Sequence, residues 1–184
     1  AKMTTGRSSF GLAAVGGKIY AIGGFMMGST LESVEAYDPQ LGAWALVASM
    51  SVKRRFHASV VLDGKIYAMG GLDEDDTTLD TVEAYDPQAD SWQRVASMPC
   101  SVYQHAAAAM GGKIYVTGGD GSVNSVCVYD PQANAWTQLA SMSAARIVHA
   151  SAAVGGKLYV FGGYDTGPLS TAEVYDPASD SWAQ

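Results

Sequence analysis

One pattern occurs four times along the chain, and it constrains the fold more than any other feature. Gly-Lys-Ile/Leu-Tyr stands at 17–20, 64–67, 112–115 and 156–159. A glycine pair follows each copy, at Gly23-Gly24, Gly70-Gly71, Gly118-Gly119 and Gly162-Gly163. Tyr-Asp-Pro comes next at 37–39, 85–87, 129–131 and 175–177, and then one tryptophan: Trp44, Trp92, Trp136 or Trp182. The tryptophans lie 48, 44 and 46 residues apart. A period in this range denotes stacked supersecondary units, none of which buries its apolar surface alone.

Each unit reads as four short strands. A small apolar segment (57–62, 105–110) meets a tight turn, Asp63-Gly64 or Gly111-Gly112, where glycine supplies the φ > 0 that hairpins need. A second strand runs to the Gly-Gly pair, and a third ends in Val-Glu-Ala-Tyr (82–85). Asp-Pro then turns the chain into a fourth strand carrying the tryptophan. No segment holds a 3.6-residue apolar period, so helix is not expected. The fold class is therefore all-β: a β-propeller of four-stranded antiparallel blades packed face to face. The whole of 1–184 reads as a single domain, with repeats at about 4–50, 51–98, 99–142 and 143–184. Residues 1–3 align with the tail of a preceding fourth strand.

The Gly-Gly pair, the tyrosine seven residues before the tryptophan and that tryptophan together resemble the kelch repeat, in all four units. The wording of the units, Val-Glu-Ala-Tyr-Asp-Pro and then Ala-Ser-Met, is most similar to kelch-like substrate adaptors of cullin-based ubiquitin ligases. That resemblance implies a non-enzymatic module that binds a target protein or short peptide, with the cullin-binding domain elsewhere. Other kelch proteins bind actin, which gives a cytoskeletal scaffold as an alternative. The family also includes a copper-radical galactose oxidase and a sialic-acid epimerase, so a small-molecule enzyme is the alternative from another class.

The spacings indicate which face varies. From the Asp of Tyr-Asp-Pro to the tryptophan is always 6 residues, and from each tryptophan to the next Gly-Gly always 26. All length change lies between Gly-Gly and Tyr-Asp-Pro, at 13, 14, 10 and 12 residues. These connections between second and third strands emerge on the same face as the links between blades, and such loops commonly carry function. The expected partner-binding set follows: Phe25, Leu72, Asp120 and Tyr164 after the glycine pairs, with Arg7, Ser8, Arg54, Arg55, Phe56, Tyr103, Gln104, Arg146 and Val148 on the links. Exposed aromatic and arginine side chains are typical anchors of protein contacts. Lys53, Arg54 and Arg55 face Asp73, Glu74, Asp75 and Asp76, either as mutual compensation on a solvated rim or as a basic pocket beside an acidic lip. Family members hold acidic peptides with arginines near the channel mouth. Gln104 and Val148 at the matching positions argue against a multi-arginine pocket here.

Other chemistry finds little support. His57, His105 and His149 recur with the repeat, but unit one fills their slot with Phe10 and no carboxylate or cysteine recurs beside them. A structural role is expected over zinc or copper, and no metal or cofactor is assigned. Cys127 is aligned with an alanine of two other units and reads as a small buried residue, whereas Cys100 lies on a link. Two cysteines make no disulfide framework, which favours a reducing, cytoplasmic setting. A net charge of −7 disfavours nucleic acid and anionic membranes as partners. Ring closure is left with two solutions. In one, the chain is a four-repeat stretch of a larger propeller, whose uncovered faces would self-associate. In the other, its ends meet to complete a shared blade.

Overall fold

The computed structural model describes residues 1–121 and 123–184 and contains sixteen strands and no helix among them. Blade one comprises β1 (Gly11–Val15), β2 (Lys18–Met26), β3 (Ser29–Asp38) and β4 (Ala43–Val47). Blade two comprises β5 (Ala58–Leu62), β6 (Lys65–Met69), β7 (Val82–Asp86) and β8 (Ser91–Val95). Blade three comprises β9 (Ala106–Met110), β10 (Lys113–Gly119), β11 (Val123–Asp130) and β12 (Ala135–Gln138). Blade four comprises β13 (Ala150–Val154), β14 (Lys157–Phe161), β15 (Ala172–Asp176) and β16 (Ser181–Ala183). Every blade is a four-stranded antiparallel meander in chain order. The innermost strands β1, β5, β9 and β13 pack in sequence, each against the next.

Period-two alternation buries both faces of the blades. One face of blade one (Tyr20, Ile22, Val34, Ala36) meets the opposite face of blade two (Ile66, Ala68, Tyr85). Tyr67, Met69, Val82 and Ala84 of blade two meet Ile114, Val116, Cys127 and Tyr129 of blade three in the same way. Hydrogen bonds stitch the blades as well. The indole N–H of Trp92, Trp136 and Trp182 donates to the carbonyls of Ala48, Ala96 and Ala140 of the preceding blade, at 2.9, 2.8 and 2.8 Å. Asp90, Asn134 and Asp180 sit at φ near +47° in the 3–4 turns. Each side-chain oxygen accepts from the neighbouring tyrosine hydroxyl and from the N–H of that same preceding-blade alanine. The tyrosine and tryptophan of the repeat are thus inter-blade fasteners, and the Asp of Tyr-Asp-Pro caps its own turn, as Asp86 does by accepting from Gln88 and Ala89.

The outward faces of the first and last blades are more open than the faces between blades. Leu12 on the outward face of blade one is 60% exposed, and Phe161 on that of blade four is 48% exposed. In blade one the connection between second and third strands is no loop: β2 and β3 extend past the glycine pair and close on a two-residue turn, Met27-Gly28, both at positive φ.

The glycine pairs mark where a link crosses a strand end. A Cβ on Gly70 would lie 2.5 Å from the Val102 carbonyl oxygen, and one on Gly71 2.5 Å from that of Arg55. Gly64, in the opposite-face turn, has φ +75° but open space around it. Gly64→Ala is therefore expected to cost about 1 kcal/mol, the conformational penalty alone. Gly70→Ala adds a backbone collision, for a loss of about 2–3 kcal/mol. Urea denaturation of the two variants measures the difference.

Candidate functional site

Each link between blades carries four consecutive residues with distinct duties, repeated at 7–10, 54–57, 102–105 and 146–149. The first position is not at the surface. Arg7, Arg54 and Arg146 have side chains that are fully buried, against Glu35, Glu83 and Glu173 at 2.7, 3.0 and 3.1 Å. Arg54 also donates to the carbonyls of Gly70 and Thr81, and Arg146 to those of Gly162 and Thr171. The glutamates complete the arrangement by accepting backbone N–H groups of the preceding link: Thr4 and Thr5, Ser51 and Val52, Ser143 and Ala144. Burial pushes the Glu35 and Glu173 carboxyls up, but these donors outweigh it and hold both below the usual range. Arg7, Arg54 and Arg146 were expected at the channel mouth as partner anchors. The structure corrects this, because a guanidinium donating to two carbonyls and a carboxylate is a joint within its blade. Blade three lacks the joint. Buried Val102 replaces the arginine, and the register of β10 with β11 puts Cys127 in the glutamate slot, not an alanine slot.

The second position ties each link to the segment after the glycine pair. Ser8 bridges to Phe25, Arg55 to Leu72, Tyr103 to Asp120 and Ile147 to Tyr164. All but Ile147 are among the residues expected on one face, and the bridges join them in matched pairs. Arg55 is mostly covered. Its guanidinium lies 5.0 Å from the Phe25 ring centre and 5.8 Å from that of Phe56, and it donates to Thr30 and pairs with Asp76. Lys53 pairs with Glu74 at 2.5 Å. The link cations and the acidic lip thus compensate one another. Tyr103 stands beside Phe56, their ring centres 6.5 Å apart, and donates to Asp120 at 2.5 Å. Tyr164 is 47% exposed.

The third position, Ser9, Phe56, Gln104 and Val148, adopts φ between +53° and +56° in every blade. For a β-branched valine this is a strained conformation, of order 1–3 kcal/mol. A chain of backbone bonds at 2.9 Å enforces it: Phe56 N–H donates to the Ser9 carbonyl, Gln104 to Phe56, and Val148 to Gln104. These bonds run from blade to blade around the channel mouth. They border an open-mouthed pocket of about 260 Å³ lined by these four residues and by Phe10, His57, His105 and His149 of the fourth position.

Sequence reasoning assigned the histidines to structure, and the geometry places them in the pocket as well. His57 and His105 are 8% and 7% exposed, yet neither ring nitrogen of either has a hydrogen-bond partner, nor does Nδ1 of His149. Leaving such a group unpaired costs about 1–3 kcal/mol. Burial, reinforced by the charge of Arg54, drives His57 well below its ordinary value; burial takes His105 down to about 3 and His149 to about 4. All three are neutral at physiological pH. Among the described residues, no three histidine, cysteine or carboxylate side chains are arranged to hold a metal ion.

Comparison with known proteins fits this architecture. The family model described as "FKB95, Kelch-repeats domain" matches residues 2–123, and the "Kelch motif" model matches 149–184. Kelch-like protein 33 of Homo sapiens is 38% identical over 71 residues, which is 39% of this chain and 13% of that protein. A putative F-box/kelch-repeat protein of Arabidopsis thaliana is 46% identical over 70 residues, 38% of this chain and 24% of that one. The chain thus matches about a tenth to a quarter of the length of these relatives. Among solved structures, that of YjhT superposes with a TM-score of 0.82 at 16% identity, over 96% of this chain and 70% of that one. With four meander blades, the repeat pattern in each and a family model over most of its length, the chain belongs to the kelch-repeat proteins.

Proposed function

We propose that the chain is a non-enzymatic recognition module that binds an extended segment of a partner protein across the loop face. The observation that carries this is the set of bridges from Ser8 to Phe25, Arg55 to Leu72, Tyr103 to Asp120 and Ile147 to Tyr164. They hold Phe25, Tyr103 and Tyr164 in a row with Phe56, whose N–H is bonded to the Ser9 carbonyl, and aromatics held in place lose little entropy on binding. The F-box/kelch and kelch-like relatives support the finer reading, target recognition for a cullin-type ubiquitin ligase adaptor; the cytoplasmic setting we propose for it rests on the two unpaired cysteines. Burial pushes the Cys127 thiol up to about 12, so that side chain is no nucleophile at neutral pH.

The test selects peptides against the whole chain from a display library and measures the affinity of the best binder for variants. Phe56→Ala and Tyr164→Ala are expected to weaken it at least tenfold. Leu41→Ala, at an exposed 3–4 turn on the opposite face, should leave it unchanged. The reverse pattern would move the site to that face.

A further inference from the structure

Resting on the loop-face reading, we propose that the pocket at the channel mouth takes one large apolar side chain, leucine or phenylalanine, from a partner segment with lysine or arginine on either side of it. At about 260 Å³ the pocket is smaller than the roughly 300–1,000 Å³ of a small-molecule site, which suits a single side chain. Its lining is mostly carbon. Phe10, Phe56 and Val148 supply apolar surface directly. The rings of His57, His105 and His149 add more, because their nitrogens lie against the neighbouring blades. His57 Nε2 is 2.7 Å from where a Cβ on Gly11 would stand, His105 lies against Gly70, and His149 Nε2 is bonded to Thr117 at 2.9 Å. The remaining ring nitrogens have no surface open to water. All three imidazoles are neutral at physiological pH, so no charged side chain lines the pocket. An ionic guest would shed its hydration there with nothing to replace it, whereas an apolar one gains by leaving water. Ser9 and Gln104 bring a hydroxyl and an amide, the kind of group that orients a peptide backbone over an apolar pocket.

Charge decides what flanks the guest. Ion pairs take up every lysine and arginine except Lys2, ahead of blade one, and Arg94, on the outer strand β8. They leave Asp73, Asp75, Asp120 and Asp165 without a cation. All four stand on connections between second and third strands, and the bridges tie those connections to the pocket lining. Leu72, next to Asp73, pairs with Arg55, next to Phe56. Asp120 pairs with Tyr103, next to Gln104, and Tyr164, next to Asp165, pairs with Ile147, next to Val148. Carboxylates on three blades therefore stand beside the mouth, and among the described residues no unmatched cation joins them there. A lysine or arginine beside the pocket is attracted, and a glutamate in its place is repelled.

Fluorescence polarisation on the whole chain tests this with capped dodecapeptide pools. Each pool fixes a central Leu, Phe, Ser or Glu and a Lys or Glu on either side of it, with random residues elsewhere. The Leu and Phe pools with Lys flanks are expected to bind at least tenfold tighter than the Ser pool with the same flanks. They should also bind at least tenfold tighter than their Glu-flanked counterparts, and only this second gap should narrow as salt rises. The Phe56→Asn/Val148→Asn variant strips apolar wall from the pocket and keeps its backbone, since asparagine tolerates the positive φ of both positions. It should bring the Leu and Ser pools within about threefold of each other. The Asp75→Asn/Asp165→Asn variant should reduce the preference for Lys flanks to about half and leave that for Leu over Ser. A Ser or Glu centre as tight as Leu, Glu flanks as tight as Lys flanks, or a Leu preference intact in Phe56→Asn/Val148→Asn would overturn the proposal. Equal binding by all pools, lost in Tyr164→Ala, would overturn it while sparing the loop-face reading. No binding by any pool would overturn both.

Discussion

Arg54→Ala will destabilise the fold by about 3–5 kcal/mol, read as a shift in the urea unfolding midpoint at constant slope. The loss is large because four groups lose a partner together inside a buried joint. The Gly70 carbonyl and the Thr81 hydroxyl lose the guanidinium donor, the Thr81 carbonyl is left with the Gly70 N–H alone, and Glu83 loses its cation. Arg55→Ala, one residue along, breaks a pair whose acidic partner is mostly in water and should cost under about 1 kcal/mol. Blade three already shows how to dispense with the joint. Where blade two has Ser51, Arg54 and Glu83, it has Pro99, Val102 and Cys127. Proline has no N–H to be satisfied, so the carboxylate that accepted from Ser51 is not needed either. The triple variant Ser51→Pro/Arg54→Val/Glu83→Cys should therefore recover most of what Arg54→Ala loses, since replacing a whole buried ion pair is far gentler than halving it. A triple variant as unstable as Arg54→Ala would show that the joint also holds the blade in a way the apolar set cannot copy.

Those three positions also show what the sequence held in plain view. The only repeat without the arginine is the only one without the glutamate, and the only one with proline at the start of its link. That covariation marks a buried pair, but a count of exposed arginines near a channel mouth reads past it. Aligning Cys127 with alanine hid the substitution altogether. The blades themselves were legible because period-two burial, the Gly-Gly pairs and the Tyr–Trp fasteners are local and occur four times. The bridges from Ser8 to Phe25 and from Tyr103 to Asp120 followed from topology, since links and 2–3 connections share one face. What spacing could not reveal was side-chain direction. Consecutive residues Arg54, Arg55, Phe56 and His57 point into the joint, across the face, around the mouth and into the lining of the pocket, and only the left-handed backbone at Phe56 makes that sequence of directions possible.

Acid will unfold this protein well above the range where its carboxylates titrate. A histidine held below its ordinary value of about 6.5 binds its proton in the unfolded chain before it can in the folded one. Stability is therefore complete above pH 6.5 and falls as pH drops from there toward the folded values, which are about 3 for His105, about 4 for His149 and well below ordinary for His57. Each contributes about 1.4 kcal/mol per pH unit across that window. At pH 5 the three together amount to about 6 kcal/mol as an upper bound, comparable to the whole stability of many domains. Glu35 and Glu173, held low by their donors, add their losses only below about pH 4.5. Equilibrium urea unfolding at half-unit steps from pH 7.5 to about 3 separates the two windows. The His57→Phe/His105→Phe variant should lose two-thirds of the slope above pH 5 while keeping that below 4.5. An unchanged slope would mean that these imidazoles take up protons in the folded state as readily as in the unfolded one.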